Sequence, residues 1–199
     1  MAGLREEKRD NLKMRLIDAA EAQIAAEGLV GLKARVVTAA AGCALGALYT
    51  AFEDLDRLIL HVNSRTLARL GAALEVACPA GQGPKQAIAA LAQGYVGFAL
   101  QNYRLWAALF SHHLPAGVEA PEWHIKDHAV LIAQIIRPLS QLRPDLNPTA
   151  LQQRARTVFS AVHGVVAMAV TGRYVTTPQK DLPGEVAAIV DALTRGLAD

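Results

Sequence analysis

The chain has 199 residues, 52% of them hydrophobic and 19% charged, with a formal net charge of +2. That balance excludes a disordered chain, which is poor in apolar residues and rich in net charge. It leaves room for one large domain, or a small one joined to a medium one. Aromatic residues make up only 5%, and an apolar fraction drawn from Ala, Leu, Val and Ile suits helices better than strands. No uninterrupted apolar run reaches the ~18 residues that a spanning helix needs. The first ten residues, Met-Ala-Gly-Leu-Arg-Glu-Glu-Lys-Arg-Asp, carry no apolar signal segment. Cys43 and Cys78 form no CxxC pair and suggest no disulfide framework. A cytoplasmic protein without a membrane partner is expected.

Taken in chain order, the pattern predicts about nine helices and no strand, an all-α fold. Residues 7–27 put Leu12, Leu16, Ala19, Ala20 and Ile24 on one stripe, and Gly28 ends that helix. Short helices follow at 33–41, ended by Gly42, and at 44–51. Glu53, Asp54 and Asp56 read as caps of a helix continuing to about residue 76, where carboxylates meet free N–H groups and the positive dipole end. The run Pro79-Ala-Gly-Gln-Gly-Pro84 is the clearest break. Helices are then expected at 85–100 and 103–112, joined near Asn102, and at 122–139 with Pro138 near its end. Asn147-Pro148 gives a cap and first-turn proline for a helix at 149–174, and the last helix spans 184–197.

The three N-terminal helices, the second and third joined by a tight turn holding Gly42, form a helix-turn-helix pattern. Its second short helix must fit a major groove roughly 12 Å wide, so the turn must be short and the inner face small. Ala39, Ala40, Ala41 and Gly42 supply small residues there, and Leu48 and Phe52 are spaced to anchor the third helix on the first.

The wording Ala41-Gly42-Cys43-Ala44-Leu45-Gly46-Ala47-Leu48-Tyr49-Thr50-Ala51-Phe52, followed by Asp54-Leu55-Asp56 and Leu58-Ile59, resembles the DNA-binding segment of tetracycline-repressor family regulators. Upstream, Ile17-Asp18-Ala19-Ala20 and Ala26-Glu27-Gly28 stand where that family has its first helix and terminal glycine. The similarity covers about residues 10–62. The stretch Val158-Phe-Ser-Ala-Val-His163-Gly164, with Trp106, further resembles a subgroup with a Trp/His-Gly pattern in its C-terminal domain. The resemblance implies a helix-turn-helix domain at 1–53 and a ligand-binding and dimerisation domain at 54–199. It implies a repressor that binds a palindromic operator in double-stranded DNA as a homodimer and releases it on binding a small molecule. It implies no catalytic residue, cofactor or metal.

On that reading Lys33 and Arg35 offer backbone charge, Tyr49 a phosphate contact and Thr50 a contact to a base edge or methyl. Leu45 and Ala47 offer apolar contact to thymine, and Ala44 and Gly46 lie on the same rod. No Arg, Lys, Asn or Gln lies between Ala44 and Phe52, although such side chains dominate direct base readout. Residues 1–60 carry eight basic and nine acidic groups. Binding weaker than usual and dependent on both subunits is therefore expected, with the basic run from Arg5 to Arg15 reaching a phosphate or the minor groove.

The second half concentrates aromatic and histidine residues. Tyr95, Phe98, Tyr103, Trp106, Phe110, His113, Trp123, His128 and His163 are the candidate walls of an effector pocket, since such sites are mostly apolar with a few polar groups. Taken singly each reads better as core; taken together they point to a cavity bounded by some of them. His112, His113, His124 and His128 invite a metal reading, but no cysteine stands near them. Gly164, Met168 and Gly172 share one line, and Val186, Ile189, Val190, Leu193 and Leu197 add a second apolar face. The last two helices of each subunit would then form a four-helix dimer interface. An alternative stays open: a dimeric small-molecule-binding or interaction protein whose helix-turn-helix no longer reads DNA. A phosphate loop, a GxSxG motif and a poised acid pair are all missing, so an enzyme is not expected.

Overall fold

A computed structural model describes residues 2–172 and 176–196; the side chains of residues 2–5 and 196 are outside that description. Among the described residues there are nine α-helices and no strand. They are α1 (Ala2–Glu27), α2 (Ala34–Ala40), α3 (Leu45–Phe52), α4 (Leu55–Ala77), α5 (Pro84–Gln101), α6 (Tyr103–Ser111), α7 (Glu122–Leu142), α8 (Pro148–Thr171) and α9 (Leu182–Gly196). No single described helix is long and apolar enough to cross a membrane. The chain forms two compact units: Met1–Thr66 with Arg104–His124, and Leu67–Tyr103 with Ile125–Asp199.

The first unit is built on the stripe of α1. Leu16, Ala20 and Ile24 are fully buried and meet Val37 and Ala41 at α2, Leu48 and Phe52 of α3, Leu58 and Val62 of α4, and Leu105 and Ala108 of α6. Each fully buried Leu or Ile contributes about 1.5–3 kcal/mol of hydrophobic stabilisation, which outweighs the weak intrinsic stability of helices as short as α2 and α3. Arg65 of α4 pairs with Asp18 and Glu21 of α1. Gly28 (φ 76°) breaks α1 and leads into a single 3-10 turn, Leu29–Gly31, that the sequence pattern does not announce.

The first helix begins at Ala2, ahead of the expected residue 7, so the basic run from Arg5 to Arg15 lies on α1. Arg15, exposed on α1, donates to the carbonyl of Ala41 at 2.9 Å, satisfying an acceptor at the C-terminus of α2. The side chain of Arg5 lies outside the described part of the protein.

In the second unit α5, α8 and α9 pack on one another. α5 and α4 approach so closely that a Cβ on Gly94 would sit 2.7 Å from that of Ala77. Asn102 caps α5, its amide donating to the carbonyl of Phe98, and Asn147 accepts from the Ala150 N–H to start α8. α7 runs through Pro138 to Leu142, because one proline removes a single helical hydrogen bond and neighbouring packing retains the rest. α8 ends at Thr171, where Gly172 takes the left-handed conformation; it is a helix cap, not part of a small-residue helix seam. Tyr174 and Leu197, expected on the last two helices, lie outside the described residues.

Candidate nucleic-acid interface and effector cavity

The helix-turn-helix is assembled from local hydrogen bonds. Gln23, almost wholly buried on α1, donates to the Gly31 carbonyl and accepts from the Lys33 N–H, so α1 sets where α2 begins. Lys33 occupies the N-cap of α2. After Ala40 the turn closes through Gly42 N–H to Ala39 O and Cys43 N–H to Thr38 O, with Gly42 at φ 65° supplying the backbone shape that other residues resist. The axes of α2 and α3 differ by 99°, within the 90–120° of this motif.

α3 has two unlike faces. Leu48 and Phe52 point into the core, 0% and 4% exposed, while Leu45 and Tyr49 are 36% and 48% exposed. Ala44, Gly46 and Thr50 are also exposed, Ala47 is half-buried, and Lys33 and Arg35 are exposed at the start of α2. The Thr50 hydroxyl donates to the Gly46 carbonyl at 3.0 Å, so its methyl and remaining lone pairs are what it offers outward. A Cβ built on Gly46 meets nothing within 4 Å; no packing inside the protein requires glycine there. Of the three acids at the next junction, Asp54 is the cap, accepting from the Arg57 N–H at 2.7 Å. Asp56 pairs with His112 at 2.9 Å. Glu53 holds a positive φ of 68°, the one such non-glycine residue among those described.

The candidate pocket residues are divided between the two units. Trp106, Phe110, His113 and Trp123 belong to the first unit; Tyr95, Phe98, Tyr103, His128 and His163 belong to the second. Trp106 is core, tilted against Phe110 at 5.3 Å. Trp123 stacks on His61 at 4.6 Å. His113 hydrogen-bonds the Ser111 carbonyl, and His124 the Ser64 hydroxyl. Tyr103 is exposed and Phe98 buried. No group of three His, Cys, Asp or Glu residues among those described is placed to hold a metal ion.

Two cavities lie among the described residues of the second unit. The inner one, about 40 Å³, is lined by aliphatic residues of α4, α5, α7 and α8 together with Tyr95, Phe159 and Gln134. The outer one, about 360 Å³, lies along the Cys78–Pro84 segment and the end of α7 and includes Glu75, Gln134, Arg137 and Gln141. Tyr95 is the one candidate that lines the inner cavity. Its hydroxyl hydrogen-bonds His163 Nδ1 at 2.7 Å, and His163 stacks on Phe159 at 5.6 Å. Burial pushes the His163 imidazole below its ordinary range. It does the same to His128, where Asp127 partly opposes the shift. Phe159 and Gln134 also line the inner cavity and were not among the residues expected from the sequence. Phe159 lies one turn before His163, and Gln134 interrupts the apolar run around Leu131 and Ile135, a signal that was readable.

A family model described as the C-terminal domain of tetracyclin repressor-like proteins matches residues 88–197. Curated proteins give no match. Among solved structures, a protein of unknown function from Rhodococcus sp. RHA1 is similar over 94% of this chain and 96% of its own, with 28% identity and a TM-score of 0.74. RolR in complex with resorcinol is similar over 98% and 96%, with 20% identity and a TM-score of 0.68. PfmR, a TetR-family regulator from Thermus thermophilus, is similar over 91% and 97%, with 17% identity and a TM-score of 0.61. The last two likenesses speak for the fold. Regulators of this kind are typically ligand-responsive DNA-binding repressors, not enzymes. With the family model spanning more than half of the sequence, the chain belongs to the tetracycline-repressor-like family.

Proposed function

We propose that the protein is a repressor that binds a palindromic operator as a homodimer and releases it when a small molecule occupies the helical domain. The observation that carries this reading is the outward face of α3, where Leu45, Gly46, Tyr49 and Thr50 are exposed while Leu48 and Phe52 fix the helix to the core. In this reading residues 1–53 read DNA and 54–199 bind effector and partner. Tyr49 and the cations of Lys33 and Arg35 contact phosphates. Leu45, Ala47 and the Thr50 methyl meet thymine methyls, and Ala44 and Gly46 allow close approach of the helix start to the backbone.

Dimerisation is assigned to α8 and α9. Met168 is exposed and Ile189 and Leu193 are half-buried on these helices, whereas Val186 and Val190 are buried within the chain itself. A two-fold dimer presents two α3 helices one DNA turn apart, roughly 34–36 Å. Trp106 and His163-Gly164 assign the chain to the Trp/His-Gly subgroup. RolR, of the same fold, is in complex with resorcinol, which supports a small planar effector for the second unit. Effector occupancy is transmitted through α4, whose first turns belong to one unit and whose last turns belong to the other.

A second reading, a dimeric small-molecule-binding or interaction protein with a non-reading helix-turn-helix, is favoured by one feature: the exposed face of α3 carries no Arg, Lys, Asn or Gln. Nuclease protection over upstream DNA separates the two. The repressor protects a discrete two-fold site, and protection weakens in the Tyr49→Phe/Lys33→Ala variant. Uniform binding along all DNA, unchanged by the variant, overturns the repressor reading.

A further inference from the structure

The inner cavity of the second unit is almost wholly apolar, and its two polar lining groups differ in one respect. The Tyr95 hydroxyl is engaged with His163 at 2.7 Å. Gln134 is engaged at one end only. Its Nε2 donates to the Gly71 carbonyl of α4 at 3.2 Å, which fixes the amide orientation, since turning it over would set oxygen against oxygen. Its Oε1 is buried and has no hydrogen-bond partner. A buried acceptor left unmade costs about 1–3 kcal/mol, so a group that supplies a donor there recovers that penalty.

We infer that Gln134 is the polar anchor of the effector site, and that the effector is an uncharged ring carrying a hydroxyl or N–H donor aimed at Gln134 Oε1. This inference rests on reading the second unit as the effector-binding one. An acceptor-only carboxylate cannot satisfy an amide oxygen. The inner lining holds no cation or anion, so a charged group placed there would be desolvated without a partner. Phe159 and Tyr95 meet edge to face at 5.6 Å and 76°, giving aromatic surface against which a ring packs.

Size adds a second element. The inner cavity, at about 40 Å³, is far smaller than the roughly 300–1,000 Å³ of small-molecule sites. The outer cavity, about 360 Å³, shares Leu74, Leu91 and Gln134 with it. The two leucine side chains stand between the spaces, and Gln134 stands at their common wall. The anchor therefore meets a ligand that spans both, its ring inside and any polar substituents toward Arg137 and Gln141.

The test is calorimetric titration of the full-length protein with phenol, anisole and toluene. Anisole keeps the ring and oxygen of phenol and lacks its donor. The expected result is phenol binding about tenfold more tightly than anisole, a preference that collapses in Gln134→Met. Equal affinity for phenol and anisole in the wild-type protein overturns the anchor, and this arm does not depend on the variant folding. A phenol preference that survives unchanged in a folded Gln134→Met, checked by circular dichroism, overturns it as well. Toluene or anisole binding with no phenol preference would sink the inference and leave the effector-binding reading standing. No binding of any of the three also overturns it, while nuclease protection continues to judge the repressor reading separately.

Discussion

At the scale of single residues, α3 carries its argument on a few exposed atoms. Lys33 is exposed at the N-cap of α2; as a phosphate contact its loss should weaken binding evenly across sequences. Lys33→Ala is expected to lower the slope of log affinity against log salt by about 1 per subunit, read by fluorescence anisotropy at several salt concentrations. Gly46 allows a sharper prediction. Glycine in a helix is less stable than alanine by up to about 1 kcal/mol, and a Cβ there meets nothing within 4 Å. Gly46→Ala should raise the melting temperature of the free protein and reduce operator affinity, two opposite signs from one methyl group. A rise in both, by calorimetry and anisotropy, removes Gly46 from the interface.

At the scale of elements, the joint between α3 and α4 is conformationally expensive. Glu53 adopts φ 68° without being glycine, a backbone region that disfavours a Cβ by roughly 1–2 kcal/mol. Glu53→Gly is expected to stabilise the protein by about 1 kcal/mol in denaturant unfolding, and Glu53→Ala to leave it nearly unchanged. The helices themselves were largely legible. The stripe Leu16, Ala20, Ile24 and the turn at Gly42 are local signals, and local signals survive folding. Helix ends were less so: Pro138 reads as a stop, yet α7 continues to Leu142 because tertiary packing holds the last turn. The cavity was the least legible element. Its aliphatic walls come from four helices far apart in sequence and look like ordinary core. The aromatic candidates Trp106, Phe110 and Trp123 belong to the other unit.

At the scale of the whole molecule, two histidines make stability depend on pH. Burial holds His163 and His128 below their ordinary range. As pH falls through about 6.5, the unfolded chain takes up protons before the folded one, so stability declines. The decline ends once pH is below the folded-state values. Thermal unfolding from about pH 8 to about pH 5 should show this loss, and it should be shallower in His128→Gln/His163→Gln. An equally steep loss in that variant assigns the pH dependence to other groups. Arg15 ties α1 to the end of α2. Because it bonds the Ala41 carbonyl, Arg15→Ala should lower global stability by about 1–2 kcal/mol, measured by urea unfolding, as well as affect DNA binding.

The open space beside Gly46 also bears on how such a molecule is improved in the laboratory. A campaign scored only by heat resistance meets no steric objection to filling it and rewards the substitution. On the proposal that Gly46 faces the operator, its winners would be hardy proteins deaf to it, so a screen meant to keep a regulator must read transcription in every round.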